Sequence, residues 1–435
     1  MKPALKDTAY THFDNRTHYQ QFEKLVCDSK WVERHGFYPF VHLEMELGKY
    51  SKGEGRIEKK RHIYYSAHVD SYIYQYYGKI LNDHYNEYAK ATAIYDNATA
   101  YRNCWGAKTN IHFARDVFEF IRKQDSAYVY VTDLTKFFDS LDHTYLKQQI
   151  KKVLGEESLD GGNYAVFKSL TKFAYVDYID LKDIVGKEIK KANRFFDLDE
   201  FHRRKKELVK KNQYNYGIPQ GSSVSAVYAN IYMIDFDKAI ADFVSERNGL
   251  YRRYCDDIII VIPMKKEQLH DYVTEIQKFI EEKENNLPNV KINEKKTERF
   301  LYENHVFQDL NQAEKSKYAT AKLSYLGFDF DGTNVRIRDK SIYKFYYRAY
   351  RKIDRVNTFY GVDRQKFIAG KKAVYNSYTH LYSKRYAEKK KKHQHGNFYT
   401  YAKRAHSEFS KSSFLNSEIK RQVRRHWRKI EGRLL

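Results

Sequence analysis

The segment GLYRRYCDDIIIVI, residues 249–262, constrains the fold more than any other. Two strand-forming runs flank an acidic doublet, the pattern of a hairpin with Asp256 and Asp257 at its tip. The β-branched run reads as buried, and an ionised carboxylate left unpaired in such surroundings costs several kcal/mol. The doublet must therefore meet a cation or sit at a bend.

A second strand pattern lies about 120 residues earlier. In AYVYVTDL, Ala127–Leu134, bulky residues alternate and Asp133 falls near the end of the run. FFDSLDHTYLKQQI then turns helical, with Asp139 or Ser140 as the expected N-cap. Helical spacing also marks Tyr64–Tyr88 and IHFARDVFEFIRK from Ile111. After the loop GEESLDGGN, the charged stretch KKANRFFDLDEFHRRKKELVKKNQ is expected to form a solvated helix. GIPQGSSVSAVYANIYMIDFDKAI opens on a turn and becomes an amphipathic helix from about Val224. A helix in KKEQLHDYVTEIQKFIEEK, short strands around VKINEKKTERF and KLSYLGFDFDG, and a basic, aromatic, helical carboxy-terminal region complete the pattern. No repeat or Pro/Gly/Ser-rich linker divides the chain, so the expectation is one α+β body, helices layered on an antiparallel sheet.

Lys and Arg number 79 against 56 Asp and Glu, a net charge of +23. That field favours a polyanion over a neutral small molecule: nucleic acid first, an anionic membrane surface second. The 41 tyrosines supply rings for base stacking or for a half-polar core. Cys27, Cys104 and Cys255 are too few and too far apart for a disulfide framework or a C-x-x-C zinc site, and His393 and His395 read as part of a solvated lysine-rich loop. The amino-terminal stretch lacks a signal-peptide core, and no apolar run approaches the ~20 residues of a membrane span, so a cytoplasmic location without membrane contact is expected.

If the fold brings Asp133 to the doublet, like charges ~5 Å apart at an effective dielectric near 20 repel by roughly 3 kcal/mol per pair. Protons or divalent cations must then occupy the site. Oxygen ligands suit Mg²⁺, and two ions about 4 Å apart clamp the attacking and leaving oxygens of a phosphoryl transfer. Taken singly, Asp139 and Asp142 read rather as helix caps, Asp257 as a turn residue and Asp133 as a surface acid. Their order along the chain favours a shared site.

DLTKFFD (Asp133–Asp139), GIPQGSSVSAVYAN (Gly217–Asn230) and YCDD (Tyr254–Asp257) resemble, in this order, the first catalytic motif, the P-Q-G motif and the Y-x-D-D motif of bacterial reverse transcriptases of the group II intron and retron type. RHIYYSAHVDSYI from Arg61, AYR ending at Arg102, INEKKT ending at Thr297 and LSYLGF from Leu323 extend the resemblance over residues 55 to 330 or thereabouts. It implies a right-hand polymerase: an amino-terminal region and fingers (1–126), a palm (127–330) with a fingers insertion at about 155–213, and a basic helical thumb (331–435).

Carried over residue by residue, the resemblance implies that Asp133 and Asp256 bind two Mg²⁺ ions, with the Leu134 carbonyl as a further ligand and Asp257 in support. Phe138, five residues after Asp133, falls at the steric gate that selects deoxynucleoside triphosphates. Arg61 falls at the arginine that grips the triphosphate, Gln220 and Gly221 at the platform for template and incoming base, and Lys296 at the lysine that protonates departing pyrophosphate. Arg102 would contact template or nucleotide, while Tyr254 and Cys255 would lie beneath the primer terminus. Ser223 and Ala226 stand where relatives often have prolines, which leaves the start of that helix less constrained. For Arg61 and Lys296 an ordinary solvated charge is the alternative, and one of Phe137 and Phe138 must be core.

With its AYR and YCDD signatures the chain looks most like the defence-associated bacterial reverse transcriptases, class 2 among them. That implies a noncoding RNA template, a cDNA product and protection against phage. Two alternatives stay open: template-independent DNA synthesis of the abortive-infection type, and an RNA-binding scaffold with a degenerate polymerase core. The sequence selects no oligomeric state.

Overall fold

The computed structural model describes residues 5–51, 55–186, 193–312, 320–360, 364–379 and 398–434. His393 and His395 lie outside the described residues, as do residues 187–192 of the expected fingers insertion.

The fold is α+β. Its centre is a seven-stranded sheet. The strand Ser126–Thr135 runs antiparallel to Asp257–Pro263 on one side and to Glu298–Glu303 on the other. Leu250–Tyr254 forms the hairpin partner of Asp257–Pro263, as the sequence pattern requires. Lys291–Ile292 pairs with the last residues of the central strand.

Period-two alternation divides this strand's side chains between two cores. Tyr128 and Tyr130, with Ile258, Ile260 and Ile262, pack among residues such as Leu81, Leu146, Tyr228 and Ile240 of the helices His68–Ala91, His143–Leu154, Ser223–Tyr232 and Ile234–Ser245. Ala127, Val129, Ile259 and Val261 meet the helix Asn110–Arg122 and, through Phe328, Phe330 and Phe409, the carboxy-terminal elements. Many tyrosines serve these cores rather than a surface: Tyr72, Tyr85, Tyr128, Tyr228, Tyr232 and Tyr302 are fully buried.

A long hairpin, Phe40–Ser51 with Gly55–Tyr65, joins Ala174–Asp177 and Lys210–Lys211 in a second sheet. A third sheet, Leu323–Tyr325, Phe328–Phe330, Asn334–Ile337 and Asn416–Ser417, leads into the helices Asp339–Tyr360, Arg364–Thr379, Phe398–Phe409 and Ile419–Leu434. Among the described residues no helix is long and apolar enough to cross a membrane.

Several local expectations change. Tyr64 and Tyr65 end a strand, paired with His42 and Val41, and the helix begins only at His68. The N-cap of His143–Leu154 is Asp142, whose carboxylate accepts the Tyr145 N–H at 2.8 Å; Asp139 and Ser140 belong to a short preceding helix, Phe137–Ser140. Among its described residues the charged stretch is helical only over Leu198–Leu208, and its Phe195 and Phe196 are buried against Phe13. Ser223–Tyr232 is not amphipathic: all but Ser223 and Ala226 are buried, between His68–Ala91 and His143–Leu154. Gly78 allows that approach, since a Cβ there would stand 3.2 Å from the Val224 Cα.

Candidate active site

The hairpin turn has two residues, Cys255 and Asp256, between the paired Tyr254 and Asp257. Cys255 adopts φ 61°, the left-handed backbone that short hairpin loops demand and that a side chain other than glycine or asparagine resists. The Leu134 N–H donates to the Asp256 carbonyl at 3.1 Å, tying the turn to the central strand, and Asp133 lies directly opposite Asp257 in the register. Cross-strand partners share a face. Asp133 and Asp257 therefore end the face that Ala127, Val129, Ile259 and Val261 begin, beyond the reach of its apolar cover.

Two acids facing each other across a ladder repel, and the site carries the mark of it. Asp257 is open to solvent on one side but crowded by protein; that crowding, then Asp256 and Asp133, pushes its carboxyl up to about 6. Lys296, in the turn Glu294–Lys296, places its ammonium on Asp133 Oδ2, while Asp133 Oδ1 is buried with no hydrogen-bond partner. Among the described residues no three acids, histidines or cysteines are already gathered around one point as metal ligands. A hard cation still fits the donor set: it would engage the orphaned oxygen and offset the repulsion among the carboxylates.

The other expected residues distribute as follows. Phe137 is the core ring, 3% exposed, and Phe138 is only partly covered, with its carbonyl accepting the Ile218 N–H at 2.9 Å. Gln220 accepts the Tyr64 N–H at 2.8 Å, joining the Pro219–Gly221 loop to the strand that carries Arg61. Gly221 has φ 131°, and a Cβ there would run into the Tyr64 carbonyl oxygen, so no other residue suits this crossing. The start of the helix that carries Ser223 and Ala226 is held by Ser225, whose hydroxyl donates to the Pro219 carbonyl at 2.8 Å. Arg61 is exposed. Tyr254 is half-buried, near the Phe113 ring at 6.3 Å. Cys255 is buried, and burial followed by Asp256 drives its thiol up to about 12, which rules out a resting thiolate nucleophile.

Arg102 departs from expectation. It is 8% exposed, donates to Asn86 Oδ1 at 2.8 Å and to the Ala98 carbonyl at 2.9 Å, and lies against the rings of Tyr95 and Trp105. The structure turns its Nε and Nη1 inward onto side-chain and carbonyl oxygens and stacks the group on those rings, while Nη2 is buried with no hydrogen-bond partner. It holds the segment whose Asn97 and Thr99 pair with the backbone of Arg253.

Arg253 itself was not among the expected residues. Fully buried, it forms a two-pronged pair with Asp237 at 2.8 and 2.5 Å, reaches Asn230 Oδ1 at 3.2 Å, and donates to the Cys255 carbonyl at 2.9 Å. Tyr251 donates to the same carboxylate at 2.6 Å. The alternation of LYRRY placed Tyr251 and Arg253 on one face, and a charge at an inward position was the available signal.

An antiparallel sheet backed by helices, with an acid in its central strand opposite an acidic hairpin turn, is the palm of a right-hand polymerase. The family model described as "Reverse transcriptase (RNA-dependent DNA polymerase)" matches residues 75–330, and the chain belongs to that family. Among solved structures, apo telomerase from Candida tropicalis truncated from its C-terminal domain is similar at 14% identity, with 75% of this chain and 63% of that chain covered and a TM-score of 0.45. Telomerase from Candida albicans in complex with a TWJ fragment of telomeric RNA is similar at 11% identity, covering 95% of this chain and 67% of that one, with a TM-score of 0.41. The chain thus spans under two thirds of the truncated telomerase. No curated protein sequence matches it.

Proposed function

We propose that the protein is an RNA-directed DNA polymerase that copies a noncoding RNA into cDNA by two-metal nucleotidyl transfer, in the cytoplasm and in defence against phage. The observation that carries the catalytic part is the register that sets Asp133 against Asp257, with the Asp256 carbonyl bonded to Leu134. Asp133 and Asp256, with the Leu134 carbonyl, would hold Mg²⁺, and Asp257 would support them from the facing position. Bound there, two ions activate a primer 3′-hydroxyl and neutralise charge on the triphosphate. Arg61 grips the phosphates from the fingers hairpin, and Gln220 with Gly221 presents a backbone platform to the base pair. Phe138 closes the space a 2′-hydroxyl needs. Lys296, whose ammonium lies on Asp133, would supply a proton to pyrophosphate. In this reading residues 1–126 are the amino-terminal region and fingers, 127–330 the palm with an insertion at about 155–213, and 331–435 the thumb.

The test is to purify the protein with its bound nucleic acid, supply Mg²⁺ and deoxynucleotides, and sequence both RNA and DNA. Wild-type protein should yield DNA complementary to one co-purifying RNA. Asp256→Ala with Asp257→Ala should abolish synthesis at unchanged circular dichroism. Untemplated product would refute the templated reading, and phage protection surviving in the double variant would replace it with a scaffold role.

A further inference from the structure

The last helix, Ile419–Leu434, has two unlike sides. Ile419, Val423 and Ile430 are buried. On the other side Lys420, Arg421, Arg424, Arg425 and Arg428 line a groove of about 750 Å³, joined by His406 and Ser417. Arg421 has Glu418 at 3.6 Å, whereas among the described residues Lys420, Arg424, Arg425 and Arg428 have no acidic partner. Cations recur every four residues, about 6 Å along the helix axis, a spacing that suits successive phosphates of one strand. Unpaired like charges held side by side on a rigid helix repel one another, and a polyanion relieves that repulsion.

This groove is separate from the cavity that lies nearer the hairpin. Tyr401 lines a separate cavity with Leu326, Gly327, Lys344 and Arg348, and Tyr401 lies within electrostatic reach of Tyr254 in the hairpin. His406 stands five residues further along the same helix, about 140° around it, so its groove opens on another side. Two basic surfaces therefore flank the helix Phe398–Phe409, and they open on different sides of it.

We propose that the Lys420–Arg428 groove binds the phosphate backbone of a base-paired stretch of RNA lying outside the cleft. Among the described side chains no aromatic ring apart from that of His406 lines the groove, which argues for backbone contact rather than base stacking. The buried apolar residues of the helix face inward, unlike those of a helix that inserts into a lipid surface.

The test uses the full chain with Arg424→Gln, Arg425→Gln and Arg428→Gln combined, and needs no polymerisation, so its failure is separate from failure of the catalytic reading. Dissociation constants are measured over a salt series for two probes: a long RNA hairpin, and a short DNA primer annealed to an RNA template. For the hairpin, the slope of log affinity against log salt should flatten by roughly 2–3, at about 0.7–0.9 per lost phosphate contact, while the short primer–template keeps its slope. Replacing all three arginines by lysine should restore the hairpin slope, which a folding defect would not explain. A control with Arg203→Gln, Lys205→Gln and Lys206→Gln on the helix Leu198–Leu208 should change neither probe. Equal loss on both nucleic-acid probes, no loss on either, equal loss in the control, or, with phosphatidylglycerol vesicles as a further probe, loss confined to the vesicles would each overturn the proposal.

Discussion

Arg253 makes the most demanding prediction. The Arg253–Asp237 pair has no solvent exposure on either side chain, so Arg253→Met leaves a buried carboxylate supported chiefly by the Tyr251 hydroxyl at 2.6 Å. Breaking one half of such a pair costs about 3–5 kcal/mol, a large share of the roughly 5–15 kcal/mol that holds a domain folded. Removing both charges, as Arg253→Met with Asp237→Leu, should bring stability back to within about 1 kcal/mol of wild type, because no uncompensated ion remains. Activity should not return with it. Arg253 also donates to the Cys255 carbonyl at 2.9 Å, and neither variant keeps that anchor under the acidic turn. Displacing Asp256 by a fraction of an ångström to an ångström should slow primer extension roughly 10–100-fold. Guanidinium denaturation followed by circular dichroism gives the stabilities, and single-turnover extension gives the rates. The reasoning fails if the single variant loses under about 1 kcal/mol, or if the double variant extends primers at the wild-type rate.

Three further outcomes follow from the site. Asp257 has its carboxyl raised from 3.8 to about 6 in the folded chain, so folding favours its protonated form and wild-type stability declines as pH rises through that window. Asp257→Asn should therefore gain on wild type between those two values and hold a constant lead above them, in chelator; denaturation midpoints across pH give the check, and a lead independent of pH counts against it. Iodoacetamide at neutral pH should label exposed Cys27 far faster than Cys255, whose thiol is driven up to about 12, as peptide mapping over time will record. Phe138→Val should raise ribonucleotide use relative to deoxynucleotide by roughly 10–100-fold in competition assays, with stability little changed because Phe137 holds the core position.

The strands that build the site were legible because their constraint is local. AYVYVTDL and DIIIVI alternate or fill with β-branched residues, and between GLYRRY and DIIIVI only Cys255 and Asp256 remain, too few for anything but a tight turn. What stayed hidden depends on partners far away in sequence. Asp142 wins the cap over Asp139 because the chain makes an extra short helix first, and Ser223–Tyr232 is enclosed by helices from both earlier regions, which its own period does not reveal. Tyr64 and Tyr65 continue helical spacing on paper, but pairing with His42 and Val41 draws them into the strand. Arg102 and Arg253 were obscured by number: in a chain with 79 basic residues, a cation reads as solvated until its enclosing carbonyls, rings or carboxylate are known.

The central strand has a mechanical meaning as well. One row of its side chains is embedded in the helices behind it, and the alternate row in the carboxy-terminal layer, so it works as a party wall between two rooms. A change of packing on the carboxy-terminal side therefore bears, through the helix Asn110–Arg122 and the rings of Phe328, Phe330 and Phe409, on the strand that carries Asp133. Tuning of catalysis from a distance should accordingly concentrate in small changes of volume at Ala127, Val129, Ile259 and Val261, the bricks that the far room presses upon.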